Sequence, residues 1–182
     1  MTSQLKFANF HPVPGNRLDQ EREHDAYKST GKLPEPAQCP QCGAVFHKGR
    51  WQWLPKPGIE PHMVMCPACH RIHDKYPAGF VTLAGQFVNQ HREEVLRLVS
   101  NEEQRAKAEH PLKRIMAIED QNGGLLITTT DIHLARRIGE ALKHAYQGDL
   151  EYQYNAGEKQ FRLHWAHSTP YSCIASAWRH DR

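Results

Sequence analysis

Four cysteines carry the clearest chemistry in this chain. Cys39-Pro-Gln-Cys42-Gly and Cys66-Pro-Ala-Cys69 are two C-x2-C knuckles with 23 residues between them. A two-residue spacing lets both thiolates of a knuckle face one ion while amides of the turn donate to sulfur. A loop of this length then returns the second knuckle to complete a tetrahedron. Four thiolates favour Zn2+, and iron less often; a shell they close leaves no position for an activated water, so the chemistry is structural rather than catalytic. The competing readings are buried free thiols or a redox pair, but a redox pair needs one knuckle and a βαβ setting. His47, His62, His70 and His73 are near enough in sequence to be alternative ligands, although four cysteines already fill the shell.

Other catalytic signatures are missing. The sequence has no P-loop, G-x-S-x-G, H-E-x-x-H or glycine-rich dinucleotide turn, and none of its 13 histidines stands in a recognisable acid-base pattern. Cys173 is alone in the C-terminal tail without an activating base, which marks it as incidental. These residues describe a protein that is not an enzyme. A cleft built from His and Asp or Glu is the weakest alternative.

The formal charge of +3 is small, but its distribution is uneven. From Cys39 to Arg92 there are six Lys or Arg against two acids, Glu60 and Asp74. Lys48, Arg50, Trp51, Trp53 and Lys56 lie between the knuckles and Arg71 just after the second. Arginine and tryptophan in such a loop suit stacking on bases and contact with phosphates. The same residues also suit a second role, in which the cations offset a thiolate cluster and the tryptophans fill a small core. Arg136 and Arg137, with Lys143 and His144, form a further candidate phosphate-contacting stripe, on a helix face where Glu140 can equally pair with them.

Five elements must position these groups within 182 residues. Residues 1–38 balance five basic against five acidic side chains with little apolar material, and read as a flexible N-terminal arm. Residues 39–82 form a zinc ribbon with short strands in AVFHKGRWQWL and HMVM. A connecting helix spans 83–110, with Phe87, Val88, His91, Val95, Leu98 and Val99 recurring at spacings of three and four, and ends at His110-Pro111.

Residues 111–166 alternate strand and turn signals around one helix. RIMAIED and LLITTT flank the Asn122-Gly123 turn, Thr130 or Asp131 caps a helix to Tyr146, Gly148 stops it, and LEYQY and QFRLHW flank NAGEK. The expected class is α+β: a four-cysteine ribbon, a long helix, and a four-stranded antiparallel sheet with one helix, in the order β-β-α-β-β. Residues 167–182 are a tail without periodicity. Mean hydropathy is −0.72 and there is no apolar run long enough for a membrane span. The expectation is a cytoplasmic protein without a membrane partner, in a reducing compartment where paired cysteines hold metal rather than disulfides.

The cysteine segment, read with GRW and with CPACHRIHDKYPAGFVTLAGQF, resembles a group of uncharacterised bacterial zinc-ribbon proteins. That group is similar to the zinc-binding N-terminal part of the archaeal and eukaryotic export adaptor of the large ribosomal subunit. The likeness runs from about Cys39 to Trp165 and is most specific in Cys66, Cys69, Arg71, Asp74, Pro77, Ala78, Gly79 and Gly85. It implies zinc as an organiser and ribosomal RNA or a ribosomal subunit as partner. The corresponding bacterial roles are subunit maturation, dormancy or translational stress. The adaptor is longer and has further cysteine pairs, whereas this chain has one set of four. The rival expectation is a zinc-stabilised adaptor or regulator that binds a protein partner without touching RNA.

Overall fold

The computed structural model describes Tyr27 and residues 31–55, 57–121, 123–155 and 160–167. Most of the N-terminal arm, Lys56, Asn122, most of the NAGEK turn and the tail with Cys173 lie outside the described residues. The described chain is a mixture of α and β, with two mixed sheets and four helices.

The smaller sheet carries the cysteines. Its strands are β1 (Ala37–Gln38), β2 (Val45–His47), β3 (Arg50–Gln52) and β4 (His62–Met63), ordered β3-β2-β1-β4. The β2-β3 hairpin turns on Lys48 and Gly49, both at positive φ (51° and 77°), the pattern whose twist matches that of paired strands. Glu35 braces this turn: its carboxylate accepts from the amides of Lys48 (2.8 Å) and Gly49 (3.1 Å). Helix α1 (Pro67–His73) follows β4 with a proline in its first turn, where a missing N–H costs no hydrogen bond.

The larger sheet holds the main core. It has five strands in the order β6-β7-β5-β9-β8, comprising β5 (Gly79–Ala84), β6 (Ile115–Gln121), β7 (Gly124–Thr129), β8 (Asp149–Asn155) and β9 (Gln160–Ala166). Central β5 runs antiparallel to β7 and parallel to β9. Cross-strand neighbours Leu125, Leu83 and Trp165, then Ile127, Val81 and Leu163, make two apolar rows. These pack with Val88 from α2 (Gln86–Gln90), Val95 and Val99 from α3 (Arg92–Glu109), and Leu134, Ile138 and Leu142 from α4 (Ile132–Tyr146). Side chains of this kind contribute roughly 1.5–3 kcal/mol each on full burial, so this sheet, not the small one, supplies most of the apolar stabilisation.

Two expectations about this half are corrected. The hairpin, helix, hairpin order is present, but the sheet is mixed and five-stranded rather than four-stranded and antiparallel, because β5 enters between the hairpins and pairs with both. The helix expected from 83 begins instead at Gln86 and is broken in two at His91, whose φ is −113°. Leu83 fits a helical repeat with Phe87, yet Gly85 at φ 108° separates them, leaving Leu83 in the buried register of β5. Residues 79–82, placed with the ribbon by sequence, therefore pair within the larger sheet. The end at His110 is extended backbone ahead of Pro111, and Asp131 caps α4 by accepting from the Leu134 amide at 3.0 Å.

Candidate metal centre and the adjoining groove

Cys39 sits just after β1 and Cys42 in the turn before β2; Cys66 immediately precedes α1 and Cys69 lies in its first turn. This folding brings all four sulfurs within 4.8 Å of one another. Four cysteines so arranged could hold a metal ion. The Cys42 and Cys66 sulfurs are 3.7 Å apart, too far for a disulfide and close to the roughly 3.8 Å edge of a tetrahedron with metal–sulfur bonds of about 2.3 Å. Neither His47, His62, His70 nor His73 belongs to the cluster.

The thiols differ in electrostatics. Burial pushes Cys39 upward, but amide donors from Cys66, Cys42 and Gln41 outweigh it and hold the thiol at about 7. The Cys66 amide makes one of these contacts, 3.4 Å from the Cys39 sulfur. Burial pushes Cys66 well up, with repulsion from Cys42 and Cys39 adding to it, and burial also raises Cys69. Four thiolates this close repel one another in a site of low polarity, so full ionisation requires a cation among them. This donor set fits a soft-accepting dication such as zinc, which Cys39, Cys42, Cys66 and Cys69 would hold as a closed shell.

A residue that sequence reasoning passed over completes the surroundings. Arg114, from the segment joining α3 to β6, is only 8% exposed and donates from Nη1 to the Cys69 sulfur at 3.4 Å. Burial works against its charge, but the sulfur of Cys42, then those of Cys69 and Cys66, favour it more, and the guanidinium is held cationic. Nothing in the Lys-Arg-Ile context distinguishes a buried arginine from a surface one. Only the tertiary approach of residue 114 to residue 69 shows it.

Beside the cluster lies a groove of about 1060 Å³. The hairpin lines it with Phe46, Arg50 and Trp51, the N-terminal segment with Tyr27 and Lys32, and the segment after α3 with His110 to Lys113. Glu35 and Asp131 add two carboxylates. Trp51 is half-buried, packs against the cysteine cluster, and lies 5.5 Å from Phe46 between ring centres.

The residues singled out for nucleic-acid contact are thus placed differently from one another. Arg50 is exposed on β3 and shares the groove with Trp51. Lys48 is exposed at the hairpin tip, and Lys56 lies outside the described residues. Trp53 is 39% exposed, with its indole N–H donating to the Lys107 carbonyl at the end of α3 (2.5 Å) and its ring 5.9 Å from the Arg114 guanidinium. Arg71 is 7% exposed, donates to the Tyr76 carbonyl at 3.2 Å, and sits over the Tyr27 ring at 4.6 Å. Arg136 and Arg137 pair with Glu140 and Glu102, each at 2.7 Å, away from the groove. Tyr27, Lys32, His110 and Lys113 enter the groove without any local signal in the sequence that would have assigned them to it.

Among the described residues, no helix is long and apolar enough to cross a membrane. No family model matches the chain, and no curated protein or solved structure does.

Proposed function

We propose that this is a non-catalytic zinc protein of the cytoplasm whose groove binds unpaired ribosomal RNA, as a factor in subunit maturation, dormancy or translational stress. The observation that carries this reading is that Arg50 and Trp51 reach a single groove together with Tyr27, Lys32 and Lys113, directly against the four-cysteine cluster. Aromatic rings beside cations suit splayed bases and their phosphates, whereas the deep, narrow major groove of an RNA duplex excludes side chains. The resemblance of the cysteine segment to the ribosomal export adaptor's zinc-binding part supports the choice of RNA.

In this reading zinc supplies charge and cross-linking, not catalysis. Cys39 and Cys42 from one side and Cys66 and Cys69 from the other fix the β2-β3 hairpin against α1, so Arg50 and Trp51 are presented from a rigid base. The test is sedimentation of tagged protein with ribosomal fractions at low and raised salt. Co-sedimentation that weakens as salt rises is expected, because released counterions drive phosphate contact. Absence from the fractions at every salt concentration contradicts the proposal.

One observation favours a protein-binding adaptor instead. Met63, on edge strand β4, is 63% exposed, and Ile59, in the loop before it, is 73% exposed, two apolar side chains beside the edge of the small sheet. Capture of a protein partner that β4 substitutions abolish, with no RNA retained, is the outcome that would favour this second reading.

A further inference from the structure

Arg114 connects two regions that share no sheet. Its side chain reaches the cysteine cluster, donating from Nη1 to the Cys69 sulfur at 3.4 Å. Its backbone is tied to Thr130 just beyond the ends of β6 and β7: the amide donates to the Thr130 hydroxyl at 2.9 Å, and the Arg114 carbonyl accepts from the Thr130 amide at 2.9 Å. Nε closes the segment on itself by donating to the Pro111 carbonyl at 2.7 Å. Thr130 also donates to the Leu112 carbonyl at 2.6 Å, so residues 111–114 are held from both sides. His110 to Lys113 are the same residues that wall one side of the groove.

A buried arginine with no carboxylate against it requires a compensating charge. None of the ion pairs formed by the described residues involves Arg114. Its Nη2 is fully buried and closes no hydrogen bond of good geometry among those residues. Among the described residues, the side-chain contact of the guanidinium that can carry negative charge is the Cys69 sulfur, part of a cluster that is left net negative when all four thiols are ionised around a dication. We infer that Arg114 is the outer-shell cation of the metal centre and that the charge of the loaded cluster, through Arg114, holds the 110–114 segment in place against the groove. The loading of the metal then sets the shape of the groove wall.

This inference rests on the metal part of the proposed function and is independent of RNA. Zinc retention is measured by competition with a chelator for wild type, Arg114→Gln and Arg114→Lys. Wild type that holds no zinc would overturn the metal reading itself. With zinc held by wild type, Arg114→Gln should retain it roughly 10–100-fold less tightly, the usual effect of removing an outer-shell partner. Arg114→Lys should recover part of that loss, since it returns the charge without the planar fork. Equal retention by Arg114→Gln and wild type overturns the inference, as does an equal loss in Arg114→Gln and Arg114→Lys, which would assign the effect to packing. Should the glutamine variant fail to fold, amide exchange in wild type decides the matter. The amides of Lys113 and Arg114 should lose protection when zinc is chelated while those of β5 and β9 keep theirs, and unchanged protection of Lys113 and Arg114 overturns the inference.

Discussion

Cys66 and Cys39 illustrate how differently four chemically identical thiols can behave once folded. Raised by burial and by repulsion from its neighbours, Cys66 favours its neutral form, so its contribution to the metal-free fold is fully present below the ordinary thiol value of 9.0 and lost as pH rises beyond it. Cys39, held at about 7, has the opposite sign: its contribution is present above 9.0 and lost as pH falls towards 7. Above 9.0 only the destabilising branch operates. Chelated protein is therefore expected to lose denaturant resistance between about pH 9 and 10.5, while zinc-loaded protein, whose thiolates are already held by the ion, does not. Parallel pH profiles for the two forms would show that no metal occupies the thiols. At this scale the sequence was informative about which four cysteines come together and silent about their neighbours. The C-x2-C spacing defines a local geometry that survives any tertiary arrangement. Whether Arg71 and Arg114 face solvent depends on contacts with Tyr27, Tyr76 and Cys69 that no local pattern encodes.

At the scale of elements, β5 marks the limit of periodicity as a guide. The hairpin of β6 and β7, the Asp131 cap, the end of α3 at His110 and the short strands of the hairpin around Gly49 were all legible, because turn residues and caps act over a few positions. Gly79 to Ala84 was not, since a buried strand of this length also satisfies a helical repeat with the residues after it. Its partners, β7 and β9, lie far along the chain. Close packing of β5 against β7 gives a test of the register. A Cβ added at Gly124 would sit 2.0 Å from the Leu83 carbonyl oxygen, a backbone atom that cannot move without disturbing the sheet. Gly124→Ala is expected to destabilise by about 1–3 kcal/mol, read as a lower midpoint in denaturant with an unchanged slope. An unshifted midpoint would contradict the β5-β7 pairing.

Across the described residues, the two sheets carry separate apolar clusters, joined by polar contacts and by Leu112 packed against the cysteines. Trp53 reaches the Lys107 carbonyl at the end of α3, Arg114 reaches Cys69, and the groove opens between the hairpin and the segment after α3. Such an arrangement gives the groove one wall made by the cysteine-bearing sheet and one made by the segment after α3, and places Arg50 and Trp51 side by side in it. On α4, Arg136 and Arg137 of the candidate phosphate stripe also form ion pairs, Arg136 with Glu140 and Arg137 with Glu102 of α3. The measurement that bears most directly on the proposed function is binding of single-stranded ribosomal RNA fragments by wild type and by the Arg50→Ala, Trp51→Ala double variant, with zinc content and fold verified in both. The double variant is expected to bind at least about tenfold more weakly, from loss of one stacked base and one phosphate contact, and with a shallower salt dependence. Equal affinity and equal salt dependence, with zinc retained in both proteins, would contradict the assignment of RNA to this groove.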